Sequence, residues 1–272
     1  MIPVAFDYQR ATSVEDAVDK LTEAGDEARV LSGGQSLIPF MRLRFAVPDT
    51  LVDISGIRDL SFVRVDADRI RIGAMTRHSD LARDPVIAAN LPLLGAMAGK
   101  IGDTQVRNRG TLGGSVAHAD PAAEYATLCT MLDAEIVTTR RAIPASEFFL
   151  GRYTTPLAHD EVLSEVTFPV ATGGHSYIKF GSRLFDWAIV GVAAQVLDDG
   201  GRIGLVSMAD VPIRAVEGER ALAQGATAEE AGRASTTGLA PTASVRASAP
   251  YKLHLAEVLT ARALREAGAV RV

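Results

Sequence analysis

The chain has 272 residues, 47% apolar and 22% charged, with a net charge of −5, a mean hydropathy of +0.14 and an isoelectric point near 5.6. That is ample for about two domains of ~150 residues with real cores, and it excludes a disordered chain, a collagen and a coiled coil. A mildly acidic chain without basic runs is a poor match for nucleic acid or an anionic membrane, and its single cysteine, Cys129, excludes an internal disulfide, a protein-held iron–sulfur cluster and a multi-cysteine zinc site.

The opening MIPVAFDYQR lacks the basic start and long apolar run of a secretory leader. The longest uncharged stretch, 85–99, is shorter than the ~18 residues of a spanning helix and holds Pro85, Asn90 and Pro92. The expected location is therefore the cytoplasm, with no integral membrane segment. The first passage is βαβ-like. Ser13 is set to cap a helix, with Asp16 in place of the usual third-position Glu, and Val14, Ala17, Val18 and Leu21 follow at helical spacing. This helix should end near Ala24-Gly25. Residues 28–31 read as a short buried strand, 37–44 as a helix and 51–54 as another strand closed by Ser55-Gly56.

From about residue 60 the pattern alternates. Residues 62–66 and 69–73 predict a hairpin around Asp66-Ala-Asp68. Thr76 is placed to cap a helix through Leu81, 85–101 reads as one longer helical region, and 102–115 as a glycine-rich polar loop. A helix is expected over 124–134, then strands over 134–139 and 162–168. A third part, from about residue 172, shows strands at 176–180, 188–197 and 202–208, with Asp198-Asp-Gly-Gly201 as a hairpin turn, and helices at 227–232 and 251–267. Boundaries near 58 and 172 divide the chain into 1–58, 59–172 and 173–272.

Two passages carry chemistry. In Val30, Leu31, Ser32, Gly33, Gly34, Gln35, Ser36 and Leu37 an apolar strand enters a Gly-Gly turn and then a helix start. Such a turn lets consecutive N–H groups meet phosphate oxygens and adds the Ser36 hydroxyl, although Gly-Gly before a helix is also a common plain turn. It is neither a G-x-G-x-x-G nor a Walker loop. The second passage, 102–115, ends in Gly110, Thr111, Leu112, Gly113, Gly114 and Ser115 and is followed by VAHADPAAE. Its glycines imply close backbone contact, Thr111 and Ser115 offer hydroxyls, and Arg107 and Arg109 offer positive charge unless they are simply solvated. Two phosphate-like loops without the Lys and acidic pair of an ATPase suit a dinucleotide. Gly34 and Gly113 are expected where backbone meets phosphate. The five histidines show no metal-ligand spacing, and Cys129 lies in an apolar helix as inert core.

VLSGGQSLIPFMRLRFAVPDTLVDI and IGDTQVRNRGTLGGSVAHADPAAEY, in this order and separation, closely resemble the FAD-binding medium subunits of molybdenum hydroxylases of the carbon monoxide dehydrogenase and xanthine dehydrogenase type. FDYQRATSVEDAVDKL resembles that family's opening, and DVPIRAVEGERAL with RASAPYKLHLAEVLTARAL its C-terminal domain. The resemblance implies an α+β fold: a two-lobed FAD-binding domain of the vanillyl-alcohol oxidase (PCMH) type, with a small α/β lobe and a mixed-sheet lobe. A C-terminal domain of antiparallel sheet and helices follows.

By the same resemblance, 30–37 and 111–115 hold the pyrophosphate through backbone N–H groups and Ile101 is an apolar contact along the cofactor. Glu124 faces the adenosine side and Leu163 the adenine end. Lys179 reaches from the third part toward the flavin. The implied role is a non-covalent FAD subunit without catalytic residues or a metal of its own. It would relay electrons from [2Fe-2S] clusters on a small partner to an external acceptor, with molybdopterin on a large partner, in a dimer of heterotrimers. A stand-alone flavin oxidase with its own organic substrate, and a module that has lost FAD, remain open as alternatives.

Overall fold

The computed structural model describes residues 1–197 and 200–268. Asp198 and Asp199, which begin the expected hairpin turn, lie outside the described residues. Three sheets are arranged along the chain. The first holds β1 (Asp7–Arg10), β2 (Ala28–Leu31) and β3 (Thr50–Asp53) in the order β1-β3-β2, all parallel. Its crossovers are α1 (Val14–Ala24) and α2 (Leu37–Leu43). The Ser13 hydroxyl accepts from the Asp16 N–H at 3.1 Å, as expected of the cap. The Asp16 carboxylate reaches one residue further back than the usual capping box, accepting from the Thr12 N–H at 2.8 Å. Ala17, Leu21, Val52 and Ile54 close a small core beneath.

The second sheet holds β4 (Val63–Asp66), β5 (Arg69–Gly73), β6 (Glu135–Thr138), β7 (Ala142–Pro144) and β8 (Leu163–Pro169) in the order β4-β5-β8-β6-β7. The expected mixed sheet is wrong: every pairing is antiparallel. β5 and β6 do run the same way, but β8 lies between them, so no parallel pair forms. The helices on this sheet are α3 (His78–Leu81), α4 (Pro85–Asn90), α5 (Pro92–Ala98), α6 (Thr104–Arg107), α7 (Leu112–His118), α8 (Glu124–Met131) and α9 (Ala145–Phe148).

Three local expectations are corrected here. Thr76 does not cap α3, since its hydroxyl donates to the Phe62 carbonyl at 3.1 Å and the helix starts after Arg77. The helical region over 85–101 breaks at Leu91 (φ −152°), because Pro92 lacks an N–H and disfavours helical backbone in the residue before it. The supposed loop over 102–115 contains α6, capped by the Asp103 carboxylate at the Val106 N–H, and the first turn of α7, capped by Thr111. Glycine counts alone overstated its irregularity.

The third sheet is an antiparallel β9 (His175–Phe180), β10 (Val190–Leu197), β11 (Gly200–Val206), β12 (Ile213–Arg214), in the order β12-β11-β10-β9. Its helices are α10 (Val216–Ala223), α11 (Ala228–Ala234) and α12 (Ala249–Glu266). Alternation along β10 sets two faces. Val190, Val192 and Ala194 pack with Ala256, Leu259 and Leu264 in the core under α12. Ala193, together with Tyr177 and Val206, joins the core of the second sheet instead. The third unit is thereby fastened against α8, whose Cys129 is fully buried, with its thiol pushed up by burial.

Candidate functional site

The three units enclose a cleft of 780 Å³, within the ~300–1,000 Å³ typical of small-molecule sites. Its walls are the turn after β2, the passage from Ile101 through α7, the 155–163 passage before β8, and Lys179, Phe185, Asp186 and Trp187 of the third unit. Val30, Ser32, Gly33, Gly34, Gln35, Ser36, Leu37, Ile101, Thr111, Gly113, Gly114, Ser115, Glu124, Leu163 and Lys179 all line it. Leu31 does not, and Leu112 is fully buried in the second core. Both alternate away from the cleft with their strand or helix.

The two glycine passages behave differently. Among the described residues, the N–H groups of Gly33, Gly34, Gln35 and Ser36 find no protein acceptor. In the second passage the four N–H groups of 112–115 are committed. Leu112 donates to the Thr76 carbonyl at 3.0 Å, Gly113 to that of Ala74 at 2.8 Å and Ser115 to that of Thr111 at 3.1 Å, while Gly114 donates to the Thr111 hydroxyl at 3.2 Å. Of the backbone donors expected over 111–115, those of 112–115 are already used by a helix turn and a ladder to 74–78, while the Thr111 N–H has no protein acceptor among the described residues. What this passage offers is the Thr111 N–H and the Ser115 hydroxyl.

Its glycines serve packing. A Cβ on Gly33 would lie 2.3 Å from the Arg109 carbonyl oxygen, so the first turn sits directly on the second. A Cβ on Gly113 would lie 2.5 Å from that of Ala74. The Ser32 and Thr111 hydroxyl oxygens are 2.7 Å apart across the same seam. Arg107 does not itself line the cleft; its guanidinium braces the Ile101 and Gly102 carbonyls at 3.0 and 2.7 Å. Arg109 lies outside the cleft lining.

A family model described as the FAD binding domain in molybdopterin dehydrogenase matches residues 4–171. A second, the CO dehydrogenase flavoprotein C-terminal domain, matches 175–267. The medium chain of carbon monoxide dehydrogenase from Hydrogenophaga pseudoflava is 39% identical over 99% of both chains. The xanthine dehydrogenase FAD-binding subunit of Escherichia coli O157:H7 is 31% identical over 96% of this chain and 95% of its own. A solved structure of the Hydrogenophaga carbon monoxide dehydrogenase superposes with a TM-score of 0.92 over 99% of both chains. The chain belongs to the FAD-binding medium subunits of the molybdenum hydroxylases. It is an FAD-carrying electron-transfer subunit of a multi-subunit oxidoreductase, not the stand-alone oxidase that the sequence left open.

The residues of this flavoprotein subunit fit the cofactor. Four consecutive residues whose N–H donors have no protein partner, Ser36 with its hydroxyl among them, line a cleft that touches all three units. At one place in the cleft wall, Lys179 Nζ lies 2.9 Å from Glu124 Oε1 and also donates to the Lys100 carbonyl at 3.0 Å. The Tyr177 hydroxyl donates to the same Glu124 oxygen at 3.3 Å, and Lys100 Nζ returns a hydrogen bond to the Tyr177 carbonyl. Burial pushes the Glu124 carboxyl up, against the pull of Lys179. Glu124 and Lys179 form one ion pair, so any contact that either makes with the cofactor comes from the same place in the cleft wall.

His78 and Trp187 escaped the sequence reading. Trp187, the single tryptophan, stands half exposed in a loop over the cleft; two aromatic residues, Phe185 and Trp187, in a loop between strands were the available signal. His78 had none, since only the fold places its ring beside Gly110 and edge-on to Tyr125 at 5.2 Å. It is 4% exposed, its Nδ1 has no partner, and burial lowers its pKa to about 4. A histidine held neutral by the fold stabilises the native state fully above its ordinary value of 6.5, and that stability is lost as pH falls from there toward 4. His78→Gln should therefore shrink the loss of stability between pH 7 and pH 5 by about 2 kcal/mol. Urea unfolding of both proteins at the two pH values measures it; equal losses would show that His78 is not kept neutral.

Proposed function

We propose that the cleft holds FAD without a covalent link. Gly33, Gly34, Gln35 and Ser36 would bind the diphosphate through their N–H groups, and Ser115 through its hydroxyl. Leu163 would line the adenine end, and Ile101, Lys179 and Trp187 the flavin end. Bound there, FAD supplies one- and two-electron redox chemistry between a donor and an external acceptor. The chain's own part is to hold and orient it. Glu124 fixes Lys179 at the wall where the third unit meets the second, so the flavin end would sit beside a neutralised pair rather than a lone cation. The observation that carries this reading is the run of four uncommitted N–H donors on residues that line a cleft shared by three units.

The proposal extends to a small partner bearing [2Fe-2S] clusters and a large partner bearing molybdopterin, two such trimers per complex, in the cytoplasm. One cysteine in the whole chain supports placing every cluster elsewhere. Units of 1–58, 59–172 and 173–272 are proposed as the domains, supported by one sheet in each.

Acid precipitation of the purified subunit should release the yellow chromophore into the supernatant; colour in the pellet would show a covalent link. In anaerobic stopped-flow absorbance, no organic substrate should bleach the flavin of the lone subunit, and adding the two partners should restore bleaching by their substrate. Rapid bleaching of the lone subunit would overturn the electron-relay reading.

A further inference from the structure

A second recess, of 450 Å³, lies on the other side of Ser32 from the cleft. Arg10, Arg58, Arg77 and Arg109 converge on it from the end of β1, the turn after β3, the start of α3 and the passage before α7. Ser32, Ser55 and Ser61 add hydroxyls, and Asp80 is the acidic residue of the wall. Some arginines elsewhere find carboxylates, among them Arg71 with Glu165, Arg140 with Asp160, Arg141 with Glu161 and Arg152 with Asp210. Among the described residues, none of the four around the recess has such a partner within 4.0 Å. Arg10 feels Asp53, but that carboxylate already accepts from Tyr8 and from the Ser55 N–H.

Four exposed guanidinium groups share the recess with a single carboxylate, that of Asp80, and repel one another. Guanidinium forks match the oxygens of phosphate in pairs, and hydroxyls add donors. Apart from Ile57 and Met75 the wall is polar and carries no aromatic ring on which a base could stack. A ligand here is recognised by its phosphate groups.

We propose that this recess binds a phosphate-bearing small anion, at a site separate from the cofactor cleft and joined to it only through Ser32. The concave shape and the hydroxyls favour a compact ligand. Free phosphate and the phosphates of a soluble nucleotide share this chemistry.

The test is isothermal titration of the flavin-loaded full chain with inorganic phosphate, pyrophosphate and ADP. Saturable binding of phosphate or pyrophosphate is expected, weakening as sodium chloride rises. ADP tighter than pyrophosphate would identify a nucleotide as the source, and equal affinity a free phosphate; either upholds the site. Arg58 and Arg77 do not line the cleft, so Arg58→Gln/Arg77→Gln reports on the recess even in a preparation lacking flavin. Binding should fall about tenfold or more for each guanidinium lost, while Arg262→Gln on α12 should bind as the parent does. If the double Gln variant does not fold, Arg58→Lys/Arg77→Lys keeps the charge and loses the forks, and should weaken binding several-fold. No saturable binding below about 10 mM, or affinity unchanged in these variants, would overturn the proposal.

Discussion

Lys179→Met is expected to lower the unfolding free energy by about 3–5 kcal/mol, the usual consequence of stranding one partner of a buried ion pair. The carboxylate left behind, Glu124, is 2% exposed and starts the helix that carries the third unit. Its remaining partner, the Tyr177 hydroxyl at 3.3 Å, is a weak substitute for an ammonium at 2.9 Å. The loss should be recovered in large part by Lys179→Met/Glu124→Leu, because two apolar groups of similar size remove the desolvation cost together with the attraction. Denaturant unfolding of the single and double variants measures this. A double variant no more stable than the single would mean that Lys179 matters for its bond to the Lys100 carbonyl rather than for the ion pair.

Gly113→Val should cost more than about 4 kcal/mol, beyond the ordinary penalty of overpacking. The first atom added would stand 2.5 Å from Ala74 Cβ and 2.8 Å from its Cα, and a strand end cannot retreat as a flexible side chain can. The expected product is an unstable or insoluble subunit, and flavin is lost because the fold is lost. The sequence-based expectation was a collision with the diphosphate itself, in an otherwise folded protein. Gly34 differs: its φ of +71° favours glycine, yet an added Cβ would meet only Ile38 and Leu31 side chains at 3.2 and 3.3 Å. Gly34→Ala should therefore be milder, about 1–2 kcal/mol from left-handed backbone. Thermal unfolding compares the two; a fully folded, flavin-poor Gly113→Val protein would show that Ala74 yields.

The residues of the cleft were largely legible because the signals are local. The turn Ser32-Gly-Gly-Gln-Ser36 joins a strand to a helix, where the first N–H groups have no acceptor within the helix itself. Alternation placed the hairpin β4–β5 and the meander β9–β11, since the period of a strand is written in consecutive residues.

Partnership between distant residues is of another kind. Whether the N–H groups of 112–114 are donors to a ligand depends on Ala74 and Thr76, some forty residues away, and on the hydroxyl of Thr111. Whether Glu124 and Lys179 act apart or as a pair depends on how β9 docks beside α8. The orphaned ring of His78 and the four arginines around Ser32 are likewise products of tertiary packing, the arginines of the first unit against the second.

By itself the sequence determined the order of elements and the two glycine turns, because turn chemistry and periodicity are properties of the chain read in line, while the family and the cofactor came from its resemblance to known flavoprotein subunits. Only the tertiary structure decided which donors stay free, which charges cancel and what each glycine is near. Hydrogen bonds and ion pairs act over about 3–4 Å, and proximity at that scale is set by the packing of the three sheets rather than by spacing along the chain.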